Sequence, residues 1–575
     1  MKQKHYKIPG IRNLENISKR MSLTERLIFF TLLITAGLGA SLLLWSIQSS
    51  LLVTIPAYDG TLREGIVGTP GPINPLLAST ASDRAMVSLI YSGLTKANSE
   101  GELVHELSES YSVSEEKTEY IFKLRDNITF HDGVSVTAAD VVFTIKKVKD
   151  PVIRSTLAGN WNNIHVEALD EKSIKFTLPE PRPGFLEMTT LGILPKHLWN
   201  EVDSNRFAFS SLNTHPVGTG PYKISSVSLE DGTPTQYKLR SFKDYVNGEP
   251  YIANLVFPFY HEEREAWNAL QQGEIDALAG FSPQRMEKMT RSDIDIKKTP
   301  LPRVFAIFLN RNKNEALSDI NVRKALSMAI DREEILSETI NGKGAVISGP
   351  IPTSITTKTI EVVAEDQKDE EEVEIETPES LLNKAGWKYD EELGGFTKDE
   401  ETILTIEIST VSNSDLQKAA EVVQRNWNSL GVKTTLALYG SNELNQGVLR
   451  PREFEGLLFG YILDRDLDLF PFWHSSERND PGMNLSLYTN ISVDGMLEEY
   501  RQEKDPKEKA EIMQRIKKAI SQDVPAIFLY SPHFLYATPD RIQDLNIGHL
   551  ISPEERFLEI HKWFIETDRV WSFFL

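Results

Sequence analysis

The 575-residue chain contains no cysteine. This absence excludes disulfide bonds, thiol nucleophiles and thiolate metal sites, as well as the lipid-modified cysteine of a lipoprotein. Basic residues are fewer than acidic ones, because the chain has 62 basic and 83 acidic residues, which give a formal net charge of −21. A charge of this sign argues against nucleic acid or an anionic membrane surface as a partner.

Several sequence motifs of enzymes are absent as well. The chain has no G-x-S-x-G nucleophile elbow, no H-E-x-x-H zinc pair and no P-loop. The Gly-Thr-Gly tripeptide at residues 218–220 lacks the third glycine of a dinucleotide site, and the His-Asp-Gly tripeptide at residues 131–133 is predicted to be a turn. The eleven histidines are scattered, so we predict no metal site and no cofactor. Carboxylate pairs arise by chance in so acidic a chain, which leaves a glycosidase as an open alternative.

One long hydrophobic stretch is present, at residues 27–47. It contains no charged residue and is long enough for a helix to cross a hydrocarbon core of roughly 30 Å. The preceding residues carry seven basic and two acidic side chains, and this bias is typical of a cytoplasmic segment. We therefore predict a single-pass protein of the cell membrane whose main body lies outside the cell. A signal peptide cleaved near Ala57 and a buried helix of a soluble protein are the alternatives.

The rest of the chain is too long for a single core and predicts two to four domains. Residues 403–439 read as strand, helix and strand, the βαβ unit of a parallel sheet. Residues 112–178 instead predict antiparallel strands around a helix at Ala138–Val148, which together form a small α+β insert. An apolar strand is predicted at residues 525–532, and the aromatic tail at residues 563–575 is predicted to be packed.

Several short segments occur in this order along the chain: INPLLA (73–78), LIYSGLT (89–95), the block at residues 102–151, PVGTGPYKI (216–224), ALQQGEIDAL (269–278), NVRKALSMAIDREEIL (321–336), LLNKAGW (381–387) and DVPAIFLYSP (523–532). Together they resemble the extracytoplasmic solute-binding proteins of ATP-driven importers. The similarity is to family 5, the class that includes oligopeptide, dipeptide and nickel binders. Each segment alone is a weak signal, but the ordered set is specific.

The resemblance implies a two-lobed periplasmic-binding-protein fold of the α/β class, with an additional small α+β domain and one transmembrane helix before it. In this fold a ligand is enclosed when the two lobes close about a hinge. The expected parts are a cytoplasmic leader (1–26), a transmembrane anchor (27–47), lobe one (57–94, 206–303 and 526–560), the small domain (95–205), and lobe two (304–525) with an acidic surface loop (358–377).

In peptide-binding relatives, an aspartate just after a lobe-two strand binds the α-ammonium group of the ligand. The resemblance places Asp464 in this role, with Asp466 and Asp468 nearby. A carboxylate shielded from water binds an ammonium group by a charge-assisted hydrogen bond. Many relatives have Asp-Pro-Asp-Pro where this chain has Asp-Leu-Asp-Leu at residues 466–469, a departure that bears on the rigidity of the loop. A solvated acidic turn is the alternative reading.

Such relatives also pair the ligand backbone with exposed protein backbone. The candidates for this pairing are the loop at residues 68–72, with Gly68 and Gly71, and the strand end at residues 459–463. Apolar pocket walls are predicted from aromatic side chains, for which packing in the core is the alternative. These side chains are Tyr461, Phe472 and Trp473.

The resemblance therefore implies a membrane-tethered binding protein, and not an enzyme. It would capture peptides between its lobes and deliver them to the permease and ATPase subunits of an ABC transporter. A secreted hydrolase that uses a carboxylate pair and a peptide sensor or scaffold with the same fold are the alternatives. The ordered segments favour binding over hydrolysis.

Overall fold

The computed structural model describes residues 22–182, 184–352, 376–398, 402–412 and 414–571. The chain forms two compact units, which are described separately: one contains Met1–Tyr58 and Phe564–Leu575, and the other contains Asp59–Trp563. Most of the predicted leader and of the predicted acidic loop lies outside the described residues.

The strands and the helices of seven or more residues are numbered in chain order. The strands are β1 (Leu52–Pro56), β2 (Thr61–Val67), β3 (Thr95–Ala97), β4 (Leu103–His105), β5 (Ser108–Val113), β6 (Glu119–Leu124), β7 (His165–Ala168), β8 (Ser173–Thr177), β9 (Tyr222–Glu230), β10 (Thr233–Ser241), β11 (Asn254–Tyr260), β12 (Ala277–Ala279), β13 (Ile294–Pro300), β14 (Arg303–Leu309), β15 (Gly344–Val346), β16 (Lys388–Asp390), β17 (Gly395–Lys398), β18 (Thr402–Ile403), β19 (Thr405–Val411), β20 (Lys433–Tyr439), β21 (Gly456–Ile462), β22 (Ala526–Pro539) and β23 (Thr567–Trp571). The helices are α1 (Leu23–Leu51), α2 (Ala81–Ile90), α3 (Ala138–Val148), α4 (Glu263–Gln272), α5 (Ile320–Met328), α6 (Arg332–Ile340), α7 (Pro378–Lys384), α8 (Asp415–Leu430), α9 (Ile491–Gln502) and α10 (Pro506–Asp523).

The larger unit contains a mixed sheet whose two halves share one long strand. The strand order is β20-β19-β21-β14-β22-β12-β2-β11-β10-β9, and β13 and β15 also pair with β22. The first part of β22 pairs with β14 and β15, whereas its second part pairs with β12 and β13. The two halves therefore meet at two places where the chain crosses from one half to the other. One crossing lies within β22, and the other lies between β13 and β14. The domain boundaries given above stay a prediction.

The βαβ unit forms as its sequence predicts. The Ser414 side chain accepts a hydrogen bond from the backbone N–H of Gln417 at the start of α8, and Gly431 ends the helix with a left-handed φ of 96°. The strands on either side of α8, β19 and β20, pair in parallel. The apolar face of α8 packs on the sheet, where Trp427 is fully buried and donates from Nε1 to the carbonyl oxygen of Leu326 at 2.9 Å. Local capping signals and helical periodicity thus agree with the tertiary packing.

The predicted α+β insert is also present. Strands β5, β6, β8 and β7 form an antiparallel sheet in that order, and α3 has the predicted bounds. The insert buries the aromatic side chains of Phe122, Phe176 and Phe185, whose ring centroids are 5.5–5.7 Å apart in successive contacts. This insert has its own small core.

The smaller unit is built around α1. The 21 residues Leu23–Leu43 are apolar enough to cross a membrane, and none of them is buried in the structure. This exposure favours a membrane span or a signal sequence over the buried helix of a soluble protein. Strand β1 follows α1 directly and pairs with the C-terminal strand β23. The prediction of a packed tail is confirmed at Trp563, which is fully buried, whereas β23 belongs to the smaller unit.

Candidate functional site

A cavity of about 560 Å³ lies where the two halves of the large sheet meet. The end of β2 and residues 279–283 line it on one side, and Ile340, Lys343 and Asp415 line it on the other. Leu301, Arg303 and residues 532–535 line it at the crossing between the halves. The crossing is fixed by two hydrogen bonds, from Ser531 Oγ to the carbonyl oxygen of Leu301 at 2.9 Å and from the N–H of Leu301 to the carbonyl oxygen of Pro532 at 3.3 Å. Residues from both halves can therefore contact one ligand in this cavity.

Two cations in this cavity have no side-chain partner among the residues that the structure describes. The acidic side chains of the lining are already paired, Glu263 with Arg285 and Asp415 with Lys418. Within the described part of the chain, neither the Arg303 guanidinium nor the Lys343 ammonium has a hydrogen-bond or ion-pair partner, and Arg303 Nε is buried. Burial lowers the pKa of Arg303, although the nearby carboxylate of Glu554 opposes this effect. The cavity thus offers unpaired positive charge to an anionic group.

The predicted aspartates lie in the loop after β21, at residues 463–469. The N–H of Leu463 donates to the carbonyl oxygen of Pro302 at 2.8 Å, which places the loop beside the crossing of the sheet halves. Asp464 is half-buried, and its Oδ1 accepts a hydrogen bond from the N–H of Asp468 at 2.9 Å. Burial, together with the neighbouring carboxylates of Asp468 and Asp466, raises the pKa of Asp464 to about 6. A carboxylate held in this way binds a cation favourably.

The other two aspartates have different surroundings. Asp468 is buried, and its Oδ2 accepts hydrogen bonds from Arg501 Nη2 at 2.6 Å and Nε at 3.0 Å. The Arg501 guanidinium in turn lies 3.6 Å from the ring centre of Phe470. Asp466 is exposed, and its backbone carbonyl accepts a hydrogen bond from the Tyr500 hydroxyl at 2.6 Å. Asp468 therefore holds the loop in place. Of the three aspartates, Asp464 is the one that is half-buried and has no cation partner among the described residues.

Asp464 also lines a second cavity, of about 370 Å³. Asp468 and Arg501 lie on the same side, and residues 159–164 and 178–182 of the α+β insert form the opposite side. The predicted ammonium site thus faces the insert.

Arg465 and two glutamates were not predicted from the sequence. The Arg465 side chain is only 9% exposed and forms ion pairs with Glu187, at 3.5 Å, and with Glu555. Burial raises the pKa of Glu187 to about 7, an effect that Arg465 opposes and that Asp464 and Glu555 strengthen. One buried cation is therefore surrounded by several carboxylates. The resulting negative potential favours a cationic ligand group beside Asp464.

The three predicted aromatic side chains lie in two environments. Tyr461 and Phe472 are stacked, with ring centroids 4.3 Å apart, and both line an apolar cavity of about 540 Å³. The Tyr461 hydroxyl donates to the carbonyl oxygen of Pro350 at 2.6 Å. Trp473 is fully buried and stacks on Phe308, with ring centroids 6.2 Å apart. This burial favours the core alternative for Trp473.

The strand end proposed for ligand pairing has one open edge. Strand β21 pairs along its length with β14, whereas on its other edge it pairs with β19 only at Gly456 and Leu457. From Phe459 to Ile462 this second edge has no strand partner among the residues described. An open edge is the feature that an extended peptide uses when it adds a strand to a sheet.

The glycines of the loop at residues 68–72 have structural roles. The N–H of Gly68, which has a φ of 119°, donates to the carbonyl oxygen of Tyr260 at 2.8 Å. The N–H of Gly71 donates to Asp83 Oδ1 at 2.8 Å, and a Cβ on Gly71 would lie only 2.9 Å from that oxygen. These two N–H groups are thus not available to a ligand backbone.

The tripeptide at residues 131–133 forms a turn, as predicted. His131 Nδ1 accepts a hydrogen bond from the N–H of Gly218 at 3.3 Å, and its Nε2 donates to the carbonyl oxygen of Gly220 at 3.0 Å. Burial lowers the pKa of His131 to about 4 and keeps the ring neutral. A Cβ on Gly218 would lie 2.0 Å from the carbonyl oxygen of Ile90. This glycine loop therefore packs against the end of α2. No group of three or more metal-ligating side chains occurs within the described ranges.

Comparison with known proteins gives relatives that span nearly the whole chain. The oligopeptide-binding protein AppA of Bacillus subtilis is 26% identical over 525 residues, which are 89% of this chain and 92% of AppA. The solved structure of the substrate-binding protein CtaP from Listeria monocytogenes matches with a TM-score of 0.70 and 26% identity, over 89% of this chain and 100% of CtaP. NikZ from Campylobacter jejuni, solved in complex with Ni(L-His), matches with a TM-score of 0.65 and 26% identity over the same shares.

These relatives confirm the predicted class of fold, and they are binding proteins rather than enzymes by name. The family model for the middle region of bacterial extracellular solute-binding proteins, family 5, matches residues 102–491. That match covers more than half of the chain and includes the α+β insert, most of the β14 half of the sheet and the aspartate loop. The chain belongs to family 5 of the bacterial extracellular solute-binding proteins.

Proposed function

We propose that this protein binds peptides between the two halves of its large sheet and delivers them to the permease of an ABC transporter. The observation that carries the proposal is Asp464, a half-buried carboxylate beside the crossing of the halves that has no cation partner in the described part of the chain. A free α-ammonium group would supply the missing cation. The relative AppA is named for oligopeptide binding, which agrees with this ligand class.

The other parts of the site suit the remainder of a peptide. The open edge of β21 begins two residues after its last contact with β19 and leads directly to Asp464. An extended ligand that adds to this edge would place its amino terminus at the loop. Arg303 and Lys343 would attract the carboxylate or acidic side chains of such a ligand, because neither has another partner among the residues described.

The proposal includes retention of α1 as a membrane anchor. Cleavage near Ala57, the alternative stated above, would remove β1 and leave β23 without the strand that it pairs with. An anchored receptor remains at high local concentration near its permease without any new contact. The ATPase subunits of the same transporter would then drive uptake of the delivered peptide.

A thermal-shift measurement tests the proposal. The purified full chain in detergent is heated with pools of random peptides, and any peptide that binds the native state raises the melting temperature. Mass spectrometry of material that co-purifies with the protein identifies the natural ligand. If no peptide pool raises the melting temperature, the peptide assignment is wrong. Uptake of a labelled peptide by cells that lack the protein then separates transport from sensing.

A further inference from the structure

The Arg465 side chain connects the loop after β21 to the α+β insert. This loop belongs to the β14 half of the large sheet, because β21 pairs with β14 along its length. The Arg465 side chain is 9% exposed, and its Nε lies 3.5 Å from a carboxylate oxygen of Glu187. Glu187 is two residues from Phe185, whose ring is buried in the insert. This ion pair therefore links the aspartate loop to the insert.

The same guanidinium group also connects the loop to the β2 half of the sheet. Its second ion pair is with Glu555. Glu555 is fixed to the β2 half through its neighbour Arg556, which donates to Glu64 of β2 from Nη2 at 2.6 Å and from Nε at 2.9 Å. A single buried cation in one half is therefore bonded both to the insert and to the other half.

The two halves also touch at a second place, beside the cavity of about 560 Å³. Gln284 Nε2 donates to the carbonyl oxygen of Thr339 at 3.2 Å, and Asn341 Nδ2 donates to Glu287 Oε1 at 2.9 Å. Residues 283–288 follow β12 in the β2 half, whereas Thr339 lies in α6, which packs against β15 in the β14 half. We call this arrangement, in which the halves are in contact, the closed arrangement.

The surroundings of Arg465 contain more negative than positive charge. The carboxylates of Asp464, Glu187 and Glu555 come from three parts of the molecule and surround this one guanidinium group. Burial raises the pKa of Glu555, an effect that Arg465 opposes. Holding several carboxylates together away from water is unfavourable unless cations balance them.

The other cations near this cluster are already paired. Arg501 pairs with Asp468, and Arg84 pairs with Glu554, both at 2.6 Å. Asp466 is exposed and adds further negative potential at Glu187. A cationic group of a ligand beside Asp464 would therefore reduce the excess of negative charge.

We propose that Arg465 is a positioning residue that holds the aspartate loop against the insert and the β2 half in the closed arrangement, and that the ammonium group of a peptide supplies the second cation of this cluster. An ion pair is lost once its atoms separate beyond about 4 Å, so even a small rotation near the crossing would break these contacts. A ligand without the ammonium group would bind but would leave the cleft more open. This inference rests on the proposed function, because it requires a peptide with its amino terminus at Asp464.

Distances between two spin labels test the role of Arg465 in closure. Because the chain has no cysteine, K288C/S337C carries the only two labels, at exposed positions on opposite sides of the contact between the halves. R515Q is the matched control, because Arg515 pairs with Glu499 and both helices concerned pack within the β14 half. Electron–electron resonance is measured on the full chain in detergent, with a saturating peptide that the thermal-shift measurement has identified.

We expect the peptide to shift most molecules of the wild type and of R515Q to the short distance. R465Q should show a several-fold smaller short-distance population, and R465K, which keeps the charge, should recover part of it. Equal populations for R465Q and R515Q would overturn the role of Arg465. If R465Q does not fold, R465K and R515K provide the same comparison, with a smaller short-distance population expected for R465K and equal populations contradicting the role.

The kinetics of binding separate positioning from a general loss of stability. Closure follows the entry of the ligand, so R465Q should release the peptide about tenfold faster than R515Q, while its association rate changes less than about twofold. A merely structural role would lower the melting temperature without this difference between the two rates. Equal dissociation rates for R465Q and R515Q in stopped-flow measurements would overturn the proposal.

The N-acetylated form of the same peptide tests the contribution of the ammonium group. At saturation it should give the wild type a smaller short-distance population than the free peptide gives. Equal populations with the two peptides would overturn the second cation.

These outcomes are distinguishable from failure of the proposed function. If no peptide raises the melting temperature, peptide binding and this inference are both wrong. If a peptide raises the melting temperature but the label distances are the same in R465Q and R515Q, only the role of Arg465 is wrong.

Discussion

Replacing Asp464 with asparagine removes one negative charge from the acidic loop and almost preserves its shape. The asparagine side chain keeps an oxygen that can accept the hydrogen bond from the N–H of Asp468, which is 2.9 Å long in the structure. Asp466→Asn is a matched control, because Asp466 is exposed and lies only two residues away. A difference between the two variants therefore reports the specific position of the charge rather than the net charge of the loop.

The expected loss of affinity follows from the lost ion pair. A hydrogen bond to a charged group contributes about 1.5–3 kcal/mol, which corresponds to roughly 10-fold to 100-fold in the dissociation constant. Asp464→Asn should thus weaken the binding of peptides with a free amino terminus by this factor. An N-acetylated peptide has no ammonium group to pair with Asp464, so the substitution should change its affinity little.

The pKa of Asp464 adds a dependence on pH. With a pKa of about 6, the carboxylate is about nine-tenths protonated at pH 5 and about nine-tenths ionised at pH 7. Binding of a free peptide should therefore be about tenfold tighter at pH 7 than at pH 5. Glu187 also titrates in this range, with a pKa of about 7. Asp464→Asn removes the titration of Asp464 and shifts the remaining titration of Glu187 to lower pH, because the Asp464 carboxylate helps to raise the pKa of Glu187.

Isothermal titration calorimetry from pH 5 to pH 8 checks these expectations with one peptide in its free and N-acetylated forms. The wild-type protein and Asp466→Asn should show the pH dependence, and Asp464→Asn should lose most of it. An equal loss of affinity for both forms of the peptide in Asp464→Asn would refute the ammonium contact. So would a pH dependence that is unchanged by this substitution.

Three further outcomes are expected. Asp464→Asn should stabilise the ligand-free protein at pH 7.5 by about 1 kcal/mol after allowance for solvent screening. The reason is that a carboxyl group whose pKa is raised on folding destabilises the native state as the pH rises from about 4 to about 6. Urea unfolding at pH 4 and pH 7.5 measures this effect, and equal unfolding midpoints for variant and wild type at pH 7.5 would contradict it. The double variant R303Q/K343Q should weaken the binding of a peptide with a free C-terminal carboxylate by about tenfold or more, but should weaken the binding of the same peptide with a C-terminal amide far less. Equal losses of affinity for the two peptides in calorimetry would show that these cations do not bind the carboxylate. Gly218→Ala should destabilise the protein by about 3 kcal/mol or more, because its Cβ would lie 2.0 Å from a backbone oxygen. Gly159→Ala serves as the control, because a Cβ at residue 159 has no atom within 4 Å. Similar melting temperatures for the two variants would contradict the close packing of the loop.

The features that could be predicted from the sequence are those with local signals. Ser414 and Gly431 mark the two ends of α8, and the apolar residues between them repeat with the helical period, so this helix and its parallel strands follow from about 40 neighbouring residues. The helix Ala138–Val148 is a second such case. Asp464 was found differently, through the resemblance to a family rather than through periodicity or spacing.

The ion-pair cluster around Arg465 could not be predicted in this way. Its partners, Glu187 and Glu555, are 278 and 90 residues away along the chain, and isolated glutamates in an acidic sequence carry no signal of their own. The apolar strand that corresponds to β22 was predicted to end at Pro532. It continues to Pro539, since at Pro532 the strand exchanges its partners in one half of the sheet for those in the other.

If the halves rotate about this crossing, as the family resemblance implies, that exchange of partners determines which parts of the molecule move. Both segments that cross between the halves contain a proline at the crossing, Pro302 and Pro532, and proline has no N–H to contribute to a ladder. A bend at this pivot therefore leaves the hydrogen-bonded pairs on either side intact. Leu463 is bonded to Pro302 itself, so Asp464 lies close to the axis, where displacement is smallest. The amino terminus of a bound ligand would therefore stay nearly in place, while the walls of the cleft that lie farther from the axis move over the rest of the ligand.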